Sequence, residues 1–177
     1  MKGALTHSVN TVSVKVLEET GIASAVKLAR NLNISSTLPE VPSLALGTAD
    51  ISTIELAGAY AAFLNHGIPV APQMLLRVED GEGNVLEEFV ADEQQAAMSE
   101  STSKIMLDMM QAVIKDGTGK RLHSSYNLTN ALAGKTGTTQ SNRDGWFVGM
   151  LPNLVTVTWV GANNPKIYFK STILGQG

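Results

Sequence analysis

Three short patterns carry side chains able to do chemistry. Lys135-Thr136-Gly137, followed by Thr138 and Thr139, stands where an apolar run gives way to turn-forming residues. A strand edge ending there could bind an extended peptide through backbone hydrogen bonds. Gly137 has no Cβ, so a substrate backbone can lie directly against the chain. Lys135 supplies a positive charge, and the Thr hydroxyls supply donors for a carboxylate. Ser-x-Asn is looser and occurs twice, at Ser8-Val9-Asn10 and Ser125-Tyr126-Asn127. The ordinary role of Ser8 is an N-cap, because an amphipathic helix begins there. The second copy lies in a Ser/Asn-rich loop ten residues before Lys135 and reads as a connection. Ser101-Thr102-Ser103-Lys104 opens a Met-rich helix, and a helix start rich in Ser and Thr is ordinary capping chemistry.

Other chemistries fail on residue type or spacing. Gly134-Lys135-Thr136 resembles the tail of a phosphate-binding loop, yet that motif needs a glycine at position 129, where Thr129 stands. It also needs a helix directly after the Thr, whereas Gly137 to Asn142 is turn-forming. His7, His66 and His123 are scattered, with no second ligand at metal spacing, so no metal is expected. The absence of cysteine removes disulfides, thiolate nucleophiles and thiolate metal sites. Gly-x-Ser-x-Gly is absent, which excludes the nucleophile elbow of α/β-hydrolases.

The elements that must position these residues follow from periodicity. Val12, Val16 and Leu17, then Ile22, Val26, Leu28 and Ala29, recur at helical spacing on either side of Gly21. Two short helices broken at Gly21 are expected, with the glycine in the left-handed position after a helix end. Residues 33–49 read as a loop. Ser52 and Glu55 form a capping-box pattern ahead of a helix burying Leu56, Ala59, Tyr60, Phe63 and Leu64 and ending at Asn65-His66-Gly67. Leu75 to Glu79 and Val85 to Val90 flank a hairpin loop. A Met-rich helix from about Ser101 to Lys115 should face Ile105, Met106, Met109, Met110, Val113 and Ile114 inward. Strands are expected at Ala131 to Thr136, Trp146 to Leu151 and Leu154 to Gly161, the last two joined at Pro152-Asn153. Helices first and an antiparallel meander last imply a mixed α/β (α+β) domain spanning 1–177.

With 177 residues, 44% of them hydrophobic and 16% charged, the chain can bury a sizeable core. A formal net charge of −3 argues against nucleic acid as the main partner. The longest purely apolar run, Leu56 to Leu64, is too short to span a bilayer. Both ends look cut, which suggests a piece of something longer.

Ala4-Leu5-Thr6-His7-Ser8-Val9-Asn10, Leu44-Ala45-Leu46-Gly47-Thr48, Glu55-Leu56-Ala57-Gly58-Ala59-Tyr60, Gly117-Thr118-Gly119, Gly134-Lys135-Thr136-Gly137-Thr138-Thr139 and Asp144-Gly145-Trp146-Phe147-Val148-Gly149 resemble, in order, the transpeptidase domain of bifunctional class A penicillin-binding proteins. The resemblance covers nearly the whole chain. It implies a serine acyl-enzyme that cross-links peptidoglycan stem peptides at D-Ala-D-Ala and is blocked by β-lactams, with no cofactor. By resemblance Ser8 passes protons, Asn10 holds the substrate amide and Lys135 sets the field near Ser8. Thr136 and Thr138 bind the carboxylate beside Gly137 and Thr139, and the Thr138 N–H donates to the oxyanion. The family's Ser-x-x-Lys box lies upstream of Ser-x-Asn, so the nucleophile is expected outside this chain, Ser101 being out of order. The implied parent is anchored in the bacterial inner membrane, carries a glycosyltransferase domain as well and holds this domain on the extracytoplasmic side. The piece alone is expected to be inactive, and its exposed apolar surface to make it marginally stable, to pair it with a second copy, or both.

Overall fold

A computed structural model of the chain describes residues 1–130, 132–139, 142–164 and 166–169. Three helices open it: α1 (Lys2–Thr6), α2 (Asn10–Thr20) and α3 (Ile22–Asn31). The break at Gly21 is where periodicity placed it. Gly21 has φ +83° and ψ +141°, a positive φ as expected but an extended ψ, so it lies outside the left-handed helical region. One residue serves as both the C-cap of α2 and the N-cap of α3. The loop that follows contains one 3₁₀ turn, Pro42–Leu46.

Helix α4 (Thr53–Leu64) begins at the expected capping box: the Glu55 N–H donates to Ser52 Oγ and the Ser52 N–H donates to Glu55 Oε2. The same carboxylate accepts bonds from the N–H and hydroxyl groups of Ser35 and Ser36, tying the preceding loop to the helix start. These bonds hold the Glu55 carboxyl well below the usual carboxylate range. The hairpin β1 (Arg77–Glu79) and β2 (Val85–Glu88) is shorter than expected and exposed along its whole length.

Helix α5 (Glu100–Asp116) buries Ser103, Met110, Val113 and Ile114. Ile105, expected to face inward, is 61% exposed. The buried positions advance by three or four residues per turn, and Ile105 falls outside that stripe. A short α6 (Arg121–Ser124) leads to the sheet.

Strands β3 (Ala133–Thr138), β4 (Asp144–Leu151) and β5 (Leu154–Gly161) form an antiparallel meander in that spatial order. The β4–β5 turn is Pro152-Asn153, as expected. Ala131, the expected start of the first strand, and the C-terminal residues 170–177 lie outside the described residues. The face bearing Ala133, Val148 and Met150 packs with Met110, and Leu5, Tyr60, Phe63, Met106, Leu107, Val155 and Val157 close around it. Val155 and Val157 alternate along β5 with exposed Leu154, Thr156, Thr158 and Val160, so the meander has one helix-covered face and one open face. A second core of Ile34, Leu38 and Ala59 lies between α3, its loop and α4. The sheet is thereby fixed to α5, and α5 to α1, which sets the Ser8 corner beside β3.

Candidate functional site

The Ser8 corner is a helix end rather than a helix start. The Ser8 N–H donates to Leu5 O at 3.2 Å and the Val9 N–H donates to Ala4 O at 2.9 Å, the two bonds that close a helix with a left-handed residue. That residue is Ser8, with φ +54°. Position C′ of such a motif usually holds Gly or Asn because a Cβ there crowds the backbone. The N-cap of α2 is Val9, which makes no side-chain cap bond, so Ser8 does not have the capping role its place in the sequence suggested. Its hydroxyl is engaged elsewhere.

Lys135 Nζ donates to Ser8 Oγ at 2.9 Å, between residues 127 positions apart. A second donation runs from Nζ to Thr136 O at 2.8 Å. Lys135 is half-buried at the inner face of β3, opposite Val148, and burial pushes its ammonium below the ordinary lysine value. Because Ser8 Oγ accepts from the amine, the hydroxyl hydrogen of Ser8 remains free to donate to a further group. Among the described residues this is where the two patterns meet. Asn10 opens α2 two residues on, with its side chain exposed.

The other members of the Lys135 segment are spread over β3. Gly137 pairs with Trp146, and a Cβ built there would stand 3.1 Å from Trp146 Cβ. The missing side chain therefore serves cross-strand packing as well as any approaching ligand. Thr138 ends β3 and is exposed. The Thr139 N–H donates to Asp144 O at 3.4 Å, across to β4, so strand alternation turns the Thr138 N–H toward the edge that β4 leaves unpaired. The Thr139 hydroxyl accepts from the Asp144 N–H at 3.1 Å and closes the β3–β4 connection.

Thr136 Oγ1 lies 2.6 Å from Thr118 Oγ1. Sequence reasoning assigned no role to Thr118. Nothing in the spacing of Gly117-Thr118-Gly119 signals that it reaches β3.

The competing patterns are placed apart from this chemistry. Ser101 Oγ bonds with Ser99 Oγ, while Lys104 pairs with Glu100, so the Ser101–Lys104 spacing forms a cap and an ion pair. Ser99, the N-cap, accepts from the Thr102 N–H. The Ser125 and Asn127 N–H groups close α6 on Arg121 O and His123 O. Gly134, Lys135 and Thr136 lie inside a strand that is followed by another strand, which removes the phosphate-loop alternative. His66 stands 3.1 Å from Glu100, a single carboxylate. No group of three potential metal ligands occurs among the described residues. Nor is any helix among them long and apolar enough to cross a membrane.

The sequence matches the family described as penicillin binding protein transpeptidase domain over residues 1–176. The chain belongs to that family. It is 35% identical over 166 residues to penicillin-binding protein 1A of Aquifex aeolicus, an alignment covering 94% of this chain and 22% of the relative. It thus spans about a fifth of that protein's length. In fold it is similar to penicillin-binding protein 1A of Haemophilus influenzae, with a TM-score of 0.86 at 22% identity over 95% of this chain and 30% of that one. It is also similar to PonA1 of Mycobacterium tuberculosis in complex with penicillin V, with a TM-score of 0.79 at 24% identity over 96% and 49% of the two chains. Helices followed by an antiparallel sheet, expected from periodicity and resemblance, are the architecture of this transpeptidase-domain chain.

Proposed function

We propose that this chain supplies the proton-relay and carboxylate-binding side of a serine D,D-transpeptidase site, and that the nucleophile belongs to a Ser-x-x-Lys segment outside it. The observation that carries this reading is the 2.9 Å bond from Lys135 Nζ to Ser8 Oγ. In the acylation step the serine oxygen gives its proton to the lysine of that Ser-x-x-Lys segment and attacks the carbonyl carbon of the bond between two D-alanines, and that C–N bond breaks. The Ser8 hydroxyl, held by Lys135, delivers a proton to the departing amine. Lys135, kept from water and lowered in pKa, restores that proton more readily than an exposed lysine. Asn10 holds the substrate amide, and the outward Thr138 N–H is one oxyanion donor. Thr136, Thr138 and the Lys135 charge draw the terminal carboxylate to the strand edge, where Gly137 and Thr139 complete the surface. β-Lactams enter the same site, in keeping with the penicillin V complex of PonA1.

In this reading the parent is a membrane-anchored peptidoglycan synthase with a glycosyltransferase domain, and 1–177 is part of its extracytoplasmic transpeptidase domain. The open sheet face, with Leu154 and Val160 about half exposed, is where isolated copies of the chain pair. Labelled penicillin tests the assignment. The full-length protein should form a stoichiometric adduct by intact mass, at a serine upstream of Ser8, and the 177-residue chain should form none. An adduct on the chain itself, above all at Ser101, would refute it. Sedimentation of the isolated chain tests the pairing, which a monomer across the micromolar range would exclude.

A further inference from the structure

We infer that Thr118 is a positioning residue of this site: it directs the Thr136 hydroxyl toward the substrate carboxylate and locks the corner that carries Ser8. This rests on the carboxylate-binding reading above.

The Thr118 hydroxyl meets the Thr136 hydroxyl at 2.6 Å, a short O–H···O bond. Each hydroxyl carries one hydrogen, so the pair uses one and keeps one. When Thr118 donates, the hydrogen of Thr136 is excluded from the Thr118 direction and must seek another acceptor. A carboxylate arriving at β3 is the acceptor that selects this arrangement, because a bond to a charged oxygen is stronger than one between neutral hydroxyls. Lys135, beside Thr136 in the chain, is bound to the Thr136 carbonyl at 2.8 Å, a main-chain contact that a change at the Thr136 hydroxyl leaves in place.

Thr118 can act in this way because its own backbone is held on two sides. Its N–H donates to Thr6 O at 3.3 Å, and the Gly119 N–H donates to Val113 O at 3.0 Å. A Cβ on Gly117 would collide with the Thr6 carbonyl, so the end of α5 lies against α1 at a distance only glycine allows. Thr6 is itself buried, two residues before Ser8. One residue thus bonds to the segment bearing Ser8 through its backbone and to the segment bearing Lys135 through its side chain.

The test compares acylation of the full-length protein by a penicillin and by its methyl ester, which lacks the negative charge. Wild type should react with the free acid at least ~10-fold faster, the ratio expected of a hydrogen bond to a charged group. Thr118→Val should lower the acid rate about 10-fold and leave the ester rate within about 2-fold, so that discrimination is lost. Thr118→Ser should restore discrimination to within about 3-fold, since the hydroxyl returns. Equal slowing of acid and ester, or no change in either, would overturn the role given to Thr118 while wild-type discrimination stands. Absence of discrimination in wild type would instead remove the carboxylate reading, and this inference with it. Should Thr118→Val fail to fold, Thr118→Cys, slightly smaller than threonine and only a weak donor, is measured in the same two reactions.

Discussion

Replacing Ser8 by Ala and by Gly should reverse the usual order of the two residues. Both substitutions remove the hydroxyl, so the bond from Lys135 is lost in each and cancels in the comparison. What differs is the backbone. At φ +54° a Cβ costs about 1–2 kcal/mol. Glycine avoids that cost but has more freedom to lose on folding, about 0.4–1 kcal/mol relative to alanine. The difference leaves Ser8→Gly more stable than Ser8→Ala by roughly 0.8 kcal/mol, about a fourfold change in the folding constant. For a chain of this size the same difference moves Tm by roughly 2–3 °C. Parallel urea denaturation of the two variants reads it directly. Both should be equally impaired in acylation of the full-length protein, because both lack the same oxygen. If Ser8→Ala proves as stable as Ser8→Gly or more so, the helix-closing geometry at Ser8 is not what sets its energy, and the case that serine is kept there for its hydroxyl fails.

Lys135→Met should remove a pH dependence. Burial lowers the folded pKa of Lys135, so the unfolded chain holds the proton more strongly, and wild-type stability should rise with pH as it passes through the folded pKa toward ~10.4. Urea midpoints between pH 7 and 10 should climb in wild type and flatten in the variant; identical slopes would contradict this. Glu55→Gln should cost about 1–3 kcal/mol at pH 7, since the carboxylate accepts bonds from Ser35, Ser36 and Ser52. The folded pKa of Glu55 is depressed, so its contribution is full above the unfolded value of ~4.3 and fades as pH falls through the folded one. The penalty of the variant should therefore shrink in acid, and a penalty independent of pH would refute the assignment. Met150→Ala, at a position of β4 that is 1% exposed on the helix-covered face of the sheet, should cost about 2–5 kcal/mol in the same denaturation assay.

Much of the fold was legible because local rules acted alone. The capping box at Ser52 and Glu55, the break at Gly21 and the Pro152-Asn153 turn each depend on residues within four positions of one another. Ile105 shows the limit of periodicity. Its apolar character was clear, yet which stripe of α5 faces inward was decided by β3, α1 and α4. Helix α1 was not foreseen as a separate element, since five residues give too short a window for a period to register.

The site divides along the same line. The sequence alone determined which side chains are available: a serine and an asparagine two apart, a lysine at the end of an apolar run, and threonines after it. It also placed them in a family's order, since that order is a property of the chain. Only the tertiary structure decided that Ser8 closes a helix instead of opening one, that Lys135 reaches it, and that Thr118 bonds to Thr136. Each of these contacts joins residues far apart in sequence, and a hydrogen bond depends on ångström distances set by how α1, α5 and β3 pack. Periodicity fixes the elements one at a time, whereas the distance between two hydroxyls on different elements is fixed by everything packed between them.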